Sequence, residues 1–406
     1  DAKAEKDFPS HWLVAHEAAH HWWGDYITMR NWHHAWLNES FGTYGEYLYS
    51  AHSKGLDEGH INLWKKKQSY LREFDNKYSR PMVNPYWKWP SQNFDSHIYP
   101  RGAAVLHMLR DIIGNDNMKA FQKQFLTEYA YGNPETKDLI RVVNETTGRD
   151  MTWFFDQWVL SAGHPQLEVE TYWDSGVLTI KIDQVQSGIK TPEFYRLPMS
   201  IDFYFNNRVV NKSILIDGRN TVHRFNFKKE PVLVRLDPEE VLLLTLNQQK
   251  TVDGLLVQLK RDNVIGRYDA ASELSGYLSY PSVKKMLKRS AFNDKSWFVR
   301  QASINSISAE LSGKELKRAY EREKHSQPRR SIISSISKLY PNIAIELIRE
   351  NLLKDKSYVV QAEMINQLGI IGEQSDILTI EKMAAQRSPR KIIQKAAKRS
   401  ISKLKG

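Results

Sequence analysis

Apolar residues return every three or four positions in HWLVAHEAAHHWW (from His11), SFGTYGEYLYSAH (from Ser40), GAAVLHMLRDII (from Gly102), NMKAFQKQFLTEYA (from Asn117) and MTWFFDQWVL (from Met151), which predicts helices through residues 1–164. Turn signals at Gly114-Asn115, Gly132-Asn133-Pro134 and Gly163-His164-Pro165 separate them. At Pro165 the texture changes. QLEVETYW, VLTIKIDQV, LPMSIDFYF, RVVNKSILI, TVHRFNF, PVLVRLD and VLLLTL are short and β-branched or alternating, split by Asp-Gly and Asn-Asn turns, and predict a small β-sandwich over 165–248.

From about residue 249 the helical period resumes with internal similarity. NDKSWFVRQASINSI (from Asn293) resembles KDKSYVVQAEMINQL (from Lys354), so that Asp294 and Asp355 correspond, as do Pro328 and Pro389 in QPRRSIISSI and SPRKIIQKAA. A unit of roughly 30 residues read as helix pairs predicts a HEAT-like α-solenoid over 249–406. The expected whole is a multidomain α+β chain of three domains.

Composition narrows the chemistry. The 406 residues contain no cysteine, which excludes disulfides, zinc ribbons and cysteine nucleophiles, so any metal must be held by His, Asp or Glu. No run of eighteen apolar residues exists, and no membrane span is expected. The net charge of +11 is uneven: residues 250–406 carry 30 Lys and Arg against 16 Asp and Glu, a net +14. Those basic residues are spread through helical sequence without a nucleic-acid motif, so a solvated face is expected and no nucleic-acid partner.

The sharpest signal is HEAAH, from His16. His16 and His20 stand four apart on a predicted helix, one above the other on the same face, a spacing that suits two ligands of one zinc. Glu17 is offset by about a hundred degrees and can face a metal-bound water without being a ligand. Glu39, eighteen residues beyond His20, can supply a third ligand from a second helix, leaving the fourth position for water. The bland alternative makes the histidines incidental and Glu39 a capping carboxylate.

VAHEAAHHWWGDYIT followed by WHHAWLNESFGTYGEYL closely resembles the zinc aminopeptidase family that includes aminopeptidase N and leukotriene hydrolase, whose pattern is H-E-x-x-H, eighteen residues, then Glu within W-L-N-E-G. FFDQWVLSAGHP looks like the end of that family's catalytic domain. The resemblance implies a thermolysin-like helical lobe over 1–164, one Zn2+ held by His16, His20 and Glu39, and Glu17 as general base. It also implies Glu46 as a carboxylate orienting a ligand histidine and, from HIYPRGAAVLHML, Tyr99 as the donor to the tetrahedral oxyanion. The implied reaction is removal of N-terminal residues from peptides. An endopeptidase or other zinc hydrolase, or a non-catalytic HEAT-repeat scaffold, stands as the alternative.

The sequence departs from the pattern in three places. Ser40 follows the ligand glutamate where glycine is usual, and Arg101 replaces a lysine after Tyr99. The family's G-x-M-E-N strand does not appear in the fifteen residues before His16, so a missing N-terminal region of the same protein is an expected partner. His33 and His34 are read as supporting or surface residues, and NPYWKWPSQNFD (from Asn84) as a loop that either lines a substrate cleft or simply packs.

Overall fold

The structure, a computed structural model, describes residues 7–406. The chain divides into two compact units: residues 11–257, and residues 258–406 together with 7–10.

The larger unit begins with α1 (His11–His20), α2 (Trp36–Lys54), α3 (Leu56–Asn76), α4 (Pro100–Ile113), α5 (Asn115–Glu128), α6 (Thr136–Thr147) and α7 (Thr152–Trp158). Helices α2 and α4 form its centre. Trp36, Leu37, Phe41, Tyr44 and Tyr47 of α2 and Ala103 to Leu106, Met108 and Leu109 of α4 are all buried. Pro100 opens α4 at a position where a missing N–H costs nothing. Their close approach depends on Gly102: a Cβ there would lie 1.9 Å from Ser40 Oγ. By contrast α1 buries only His16, while Leu13 and Val14 on it and Trp22 just beyond it are exposed.

Seven strands follow: β1 (Gln166–Asp174), β2 (Val177–Gln184), β3 (Leu197–Tyr204), β4 (Val209–Ile216), β5 (Asn220–Asn226), β6 (Leu233–Leu236) and β7 (Thr245–Gln248). They form a four-stranded sheet ordered β5-β2-β1-β7 and a three-stranded sheet ordered β4-β3-β6. Only the β1–β7 pairing is parallel. The β1–β2 hairpin closes through Ser175-Gly176, both at positive φ, the geometry a two-residue hairpin loop demands. Phe203 of one sheet meets Phe225 of the other with ring centroids 4.8 Å apart, and both sheets share a continuous core with the helices before them. Lys67 of α3, 5% exposed, reinforces that junction by donating to the carbonyls of Glu240 and Leu242 before β7.

In the smaller unit the helices Val264–Glu273, Trp297–Ile307, Ser326–Leu339, Tyr358–Ile371 and Ile392–Lys405 stack on one another in chain order, the last four each with a partner helix beside it. The sequence similarity marks a recurring joint. Asp294 accepts the backbone N–H of Ser296 at 2.8 Å and Asp355 that of Ser357 at 2.8 Å. Each carboxylate is also held by an arginine of the preceding layer, Arg267 to Asp294 and Arg329 to Asp355, both at 2.9 Å. Between them Glu323 does the same for His325 N and Arg300. A carboxylate that both holds the backbone of one helix's N-cap residue and pairs with an arginine of the previous layer cannot be moved without loosening two layers.

Candidate metal centre

All the expected site residues fall within the larger unit. Helix α1 crosses α2 so that His16 Nε2 and His20 Nε2 each lie 3.4 Å from the same atom, Glu39 Oε2. One ligand atom from each of His16, His20 and Glu39 lies within 4.8 Å of the others, the size of a single-cation site. Gly42, one turn after Glu39, permits this crossing, because a Cβ there would sit 3.0 Å from the His16 ring.

The outer nitrogens of both imidazoles are already committed. His16 Nδ1 donates to Glu46 Oε1 at 3.0 Å, and His20 Nδ1 donates to the carbonyl of Trp23 at 2.9 Å. With Nδ1 of both rings committed in this way, both Nε2 atoms face Glu39, where each carries a proton toward the carboxylate in the absence of a cation and would offer a lone pair to a bound one. The donor set therefore fits Zn2+: two imidazole nitrogens and a carboxylate, with no thiolate.

Glu46 sits on α2 two turns beyond Glu39 and is itself held by Lys66 Nζ, 2.7 Å from Oε2. Sequence reasoning singled out Glu46 but not Lys66, which nothing in the run WKKKQ (from Trp64) distinguishes from its neighbours.

Electrostatics follow from this packing. Burial would push the Glu39 carboxyl up, but hydrogen bonds from His16 and His20 outweigh it and hold it at about 2. Burial would likewise push His16 down, yet Glu39 and Glu46 raise it to about 9. The hydrogen bond to Glu39 raises His20 too. Three groups converge on one point where a cation or protons must balance the carboxylates.

Tyr99 precedes α4 and lies beside the site, its ring 6.0 Å from that of His16. Burial first, then the Glu39 and Glu17 carboxylates, push its hydroxyl well above the ordinary tyrosine range, so it stays a proton-bearing donor. Glu17 is exposed on the face of α1 next to His16 and is close enough to Tyr99 to act on its charge.

The residues read as peripheral are so. His34 Nδ1 contacts Thr136 Oγ1 at 2.9 Å, and His33 packs edge-on to Trp87. Arg101 points away from the site: wholly buried, it donates to the carbonyls of Trp158 and Ser161 and to the Tyr70 hydroxyl.

Known proteins resemble the part of the chain that carries these residues. Residues 3–158 match the Peptidase family M1 domain. The chain is 34% identical over 160 residues to Tricorn protease-interacting factor F2 of Thermoplasma volcanium, covering 38% of this chain and 20% of that protein. Aminopeptidase N of Streptomyces lividans is 31% identical over 187 residues, 42% of this chain and 21% of its own. The leucyl aminopeptidase of Saccharolobus solfataricus is 25% identical over 308 residues, 74% of this chain and 37% of its own. The chain thus spans between 20% and 37% of the length of these relatives. The crystal structure of Legionella pneumophila aminopeptidase A in complex with aspartic acid has the same fold over 97% of this chain and 56% of that one, with a TM-score of 0.64 at 14% identity. The likeness to peptidase family M1 thus lies in residues 3–158, the part of the chain that carries His16, His20 and Glu39.

Proposed function

We propose that the protein is a zinc-dependent aminopeptidase, removing N-terminal residues from peptides, with His16, His20 and Glu39 as the metal ligands. The observation that carries this is the convergence of both Nε2 atoms on Glu39 Oε2, with both Nδ1 atoms spoken for. Zn2+ in that position supplies a Lewis acid for carbonyl hydrolysis. The chain's own groups do the rest. Glu17, exposed beside His16, takes a proton from the attacking water and returns it to the leaving amine. Tyr99, kept protonated by burial and two carboxylates, donates a hydrogen bond to the developing oxyanion. Glu46, anchored by Lys66, fixes the His16 ring.

The wider architecture is part of the same proposal: a thermolysin-like helical lobe over 1–164, a β-sandwich over 165–248 and a HEAT-like repeat domain over 249–406. The two sheets joined through Phe203 and Phe225 support the second, and the recurring arginine–carboxylate joints the third. Among the described residues no helix is long and apolar enough to cross a membrane.

The test is hydrolysis of short peptides, free or N-acetylated, by the zinc-loaded protein and its Glu17→Gln variant. Cleavage confined to free-amine peptides and lost in the variant is expected. Equal cleavage of acetylated peptides would convert the reading to an endopeptidase.

A further inference from the structure

Beside Tyr99, on the side away from α1, lies an open cleft of about 660 Å3. The end of α3 forms one wall with Arg72, Glu73 and Lys77, and the loop before α4 forms the other with Gln92, Phe94 and Asp95. Tyr99 lines the cleft and also stands beside His16, so under the function proposed above the cleft adjoins the metal centre.

The charges of this cleft do not cancel. Glu73 is neutralised by Lys77 at 2.9 Å, and its second oxygen accepts the Ser96 N–H at 2.9 Å. Asp95 is held by Arg80, with oxygens at 2.7 and 2.9 Å, and accepts the Tyr78 hydroxyl at 2.8 Å. Both acids are therefore matched by a cation. Arg72 is left over: among the described residues its guanidinium has no carboxylate partner. A planar five-donor cation standing alone on the wall of a cleft is suited to a carboxylate.

We propose that this cleft is a subsite for the bound peptide, and that Arg72 selects an acidic side chain in it. Gln92 and the Ser91 hydroxyl on the same walls offer neutral donors, while Phe94 and Pro100 give the lining apolar surface suited to the aliphatic stem of a glutamate. Arg72 touches substrate only through this side chain and takes no part in bond breaking.

The subsite rests on the peptidase reading, and the test separates the two. Calorimetric titration uses the full chain, zinc-loaded and carrying Glu17→Gln so that peptides are bound without being consumed. The probes are free-amine tetrapeptides of alanine with a single Glu, Gln or Lys placed in turn at each position. At one position Glu is expected to bind about tenfold more tightly than Gln, the worth of one charge-assisted pair. Arg72→Gln should abolish that ratio, and Arg72→Glu should turn the preference to Lys, a reversal that loss of folding cannot mimic. Equal binding of Glu and Gln peptides at every position, or a Glu preference that survives Arg72→Gln, overturns the subsite alone. Failure of every peptide to bind overturns the peptidase reading and the subsite with it.

Discussion

His16 Nδ1 and Glu46 Oε1 stand 3.0 Å apart although thirty residues separate them in the chain. The contact exists because α1 lies across α2 at Gly42, bringing His16 over the turn that carries Glu46. Lys66 of α3 then closes the line from the other side at 2.7 Å. The direction of the His16 nitrogen that faces Glu39 is thus set by three helices, only one of which contains the H-E-x-x-H signature.

Glu46→Gln is expected to lower zinc affinity by about tenfold to a hundredfold, since the ring loses its charged anchor and its fixed tautomer. Competition against a chelating dye measures this. Affinity unchanged from wild type would show that Glu46 does not orient the ring.

Gly102→Ala places a methyl group 1.9 Å from Ser40 Oγ and should cost about 1–3 kcal/mol by forcing α2 and α4 apart. Ser40→Gly removes the obstacle, and also the bond from Ser40 Oγ to the Ile98 carbonyl at 2.7 Å. In a urea double-mutant cycle the two changes together should cost less than their sum. Simple additivity would mean that the helices yield elsewhere.

Arg101→Lys keeps the charge but not the fork that reaches the carbonyls of Trp158 and Ser161 and the Tyr70 hydroxyl. A buried cation with unmet partners should lower stability by about 2–3 kcal/mol. Equilibrium unfolding in urea tests it, and the expected loss is in stability, with zinc affinity retained.

Asp95 gives the fold an acid limit. Burial pushes its carboxyl up, but the hydrogen bond and charge of His97 and the charge of Arg80 outweigh it and hold it at about 2, below the ordinary 3.8. Because burial pushes His97 itself down, Arg80 carries the pairing at neutral pH. A depressed carboxyl contributes stability that is complete above about pH 4 and is lost as pH falls toward about 2. The contribution is about 2 kcal/mol. Asp95→Asn should therefore be destabilised at pH 7 and show a smaller further loss between pH 4 and 2 than the wild type. Parallel stability–pH curves for the two would refute it.

Much of this protein could be read from local pattern. The three-and-four spacing of apolar residues marked the helices, and alternating β-branched runs marked the strands. The repeat of Asp294 in Asp355 announced a structural joint before its arginine partners were known. The centre was legible for the same reason: His16 and His20 share a helix, so their relation is fixed by helix geometry alone.

What the sequence determined by itself were the residues whose roles depend on neighbours within a turn or two of the same element. The tertiary structure decided which elements meet, and that depends on contacts with no counterpart in local spacing. Lys66 is one of three consecutive lysines, and only the packing of α3 on α2 turns it toward Glu46. Arg101, beside Tyr99 in sequence, goes instead to the carbonyls of Trp158 and Ser161, because a buried guanidinium must find acceptors wherever the fold supplies them. Arg72 is distinguished only by what surrounds it: two acids already paired, and a cleft that ends at Tyr99.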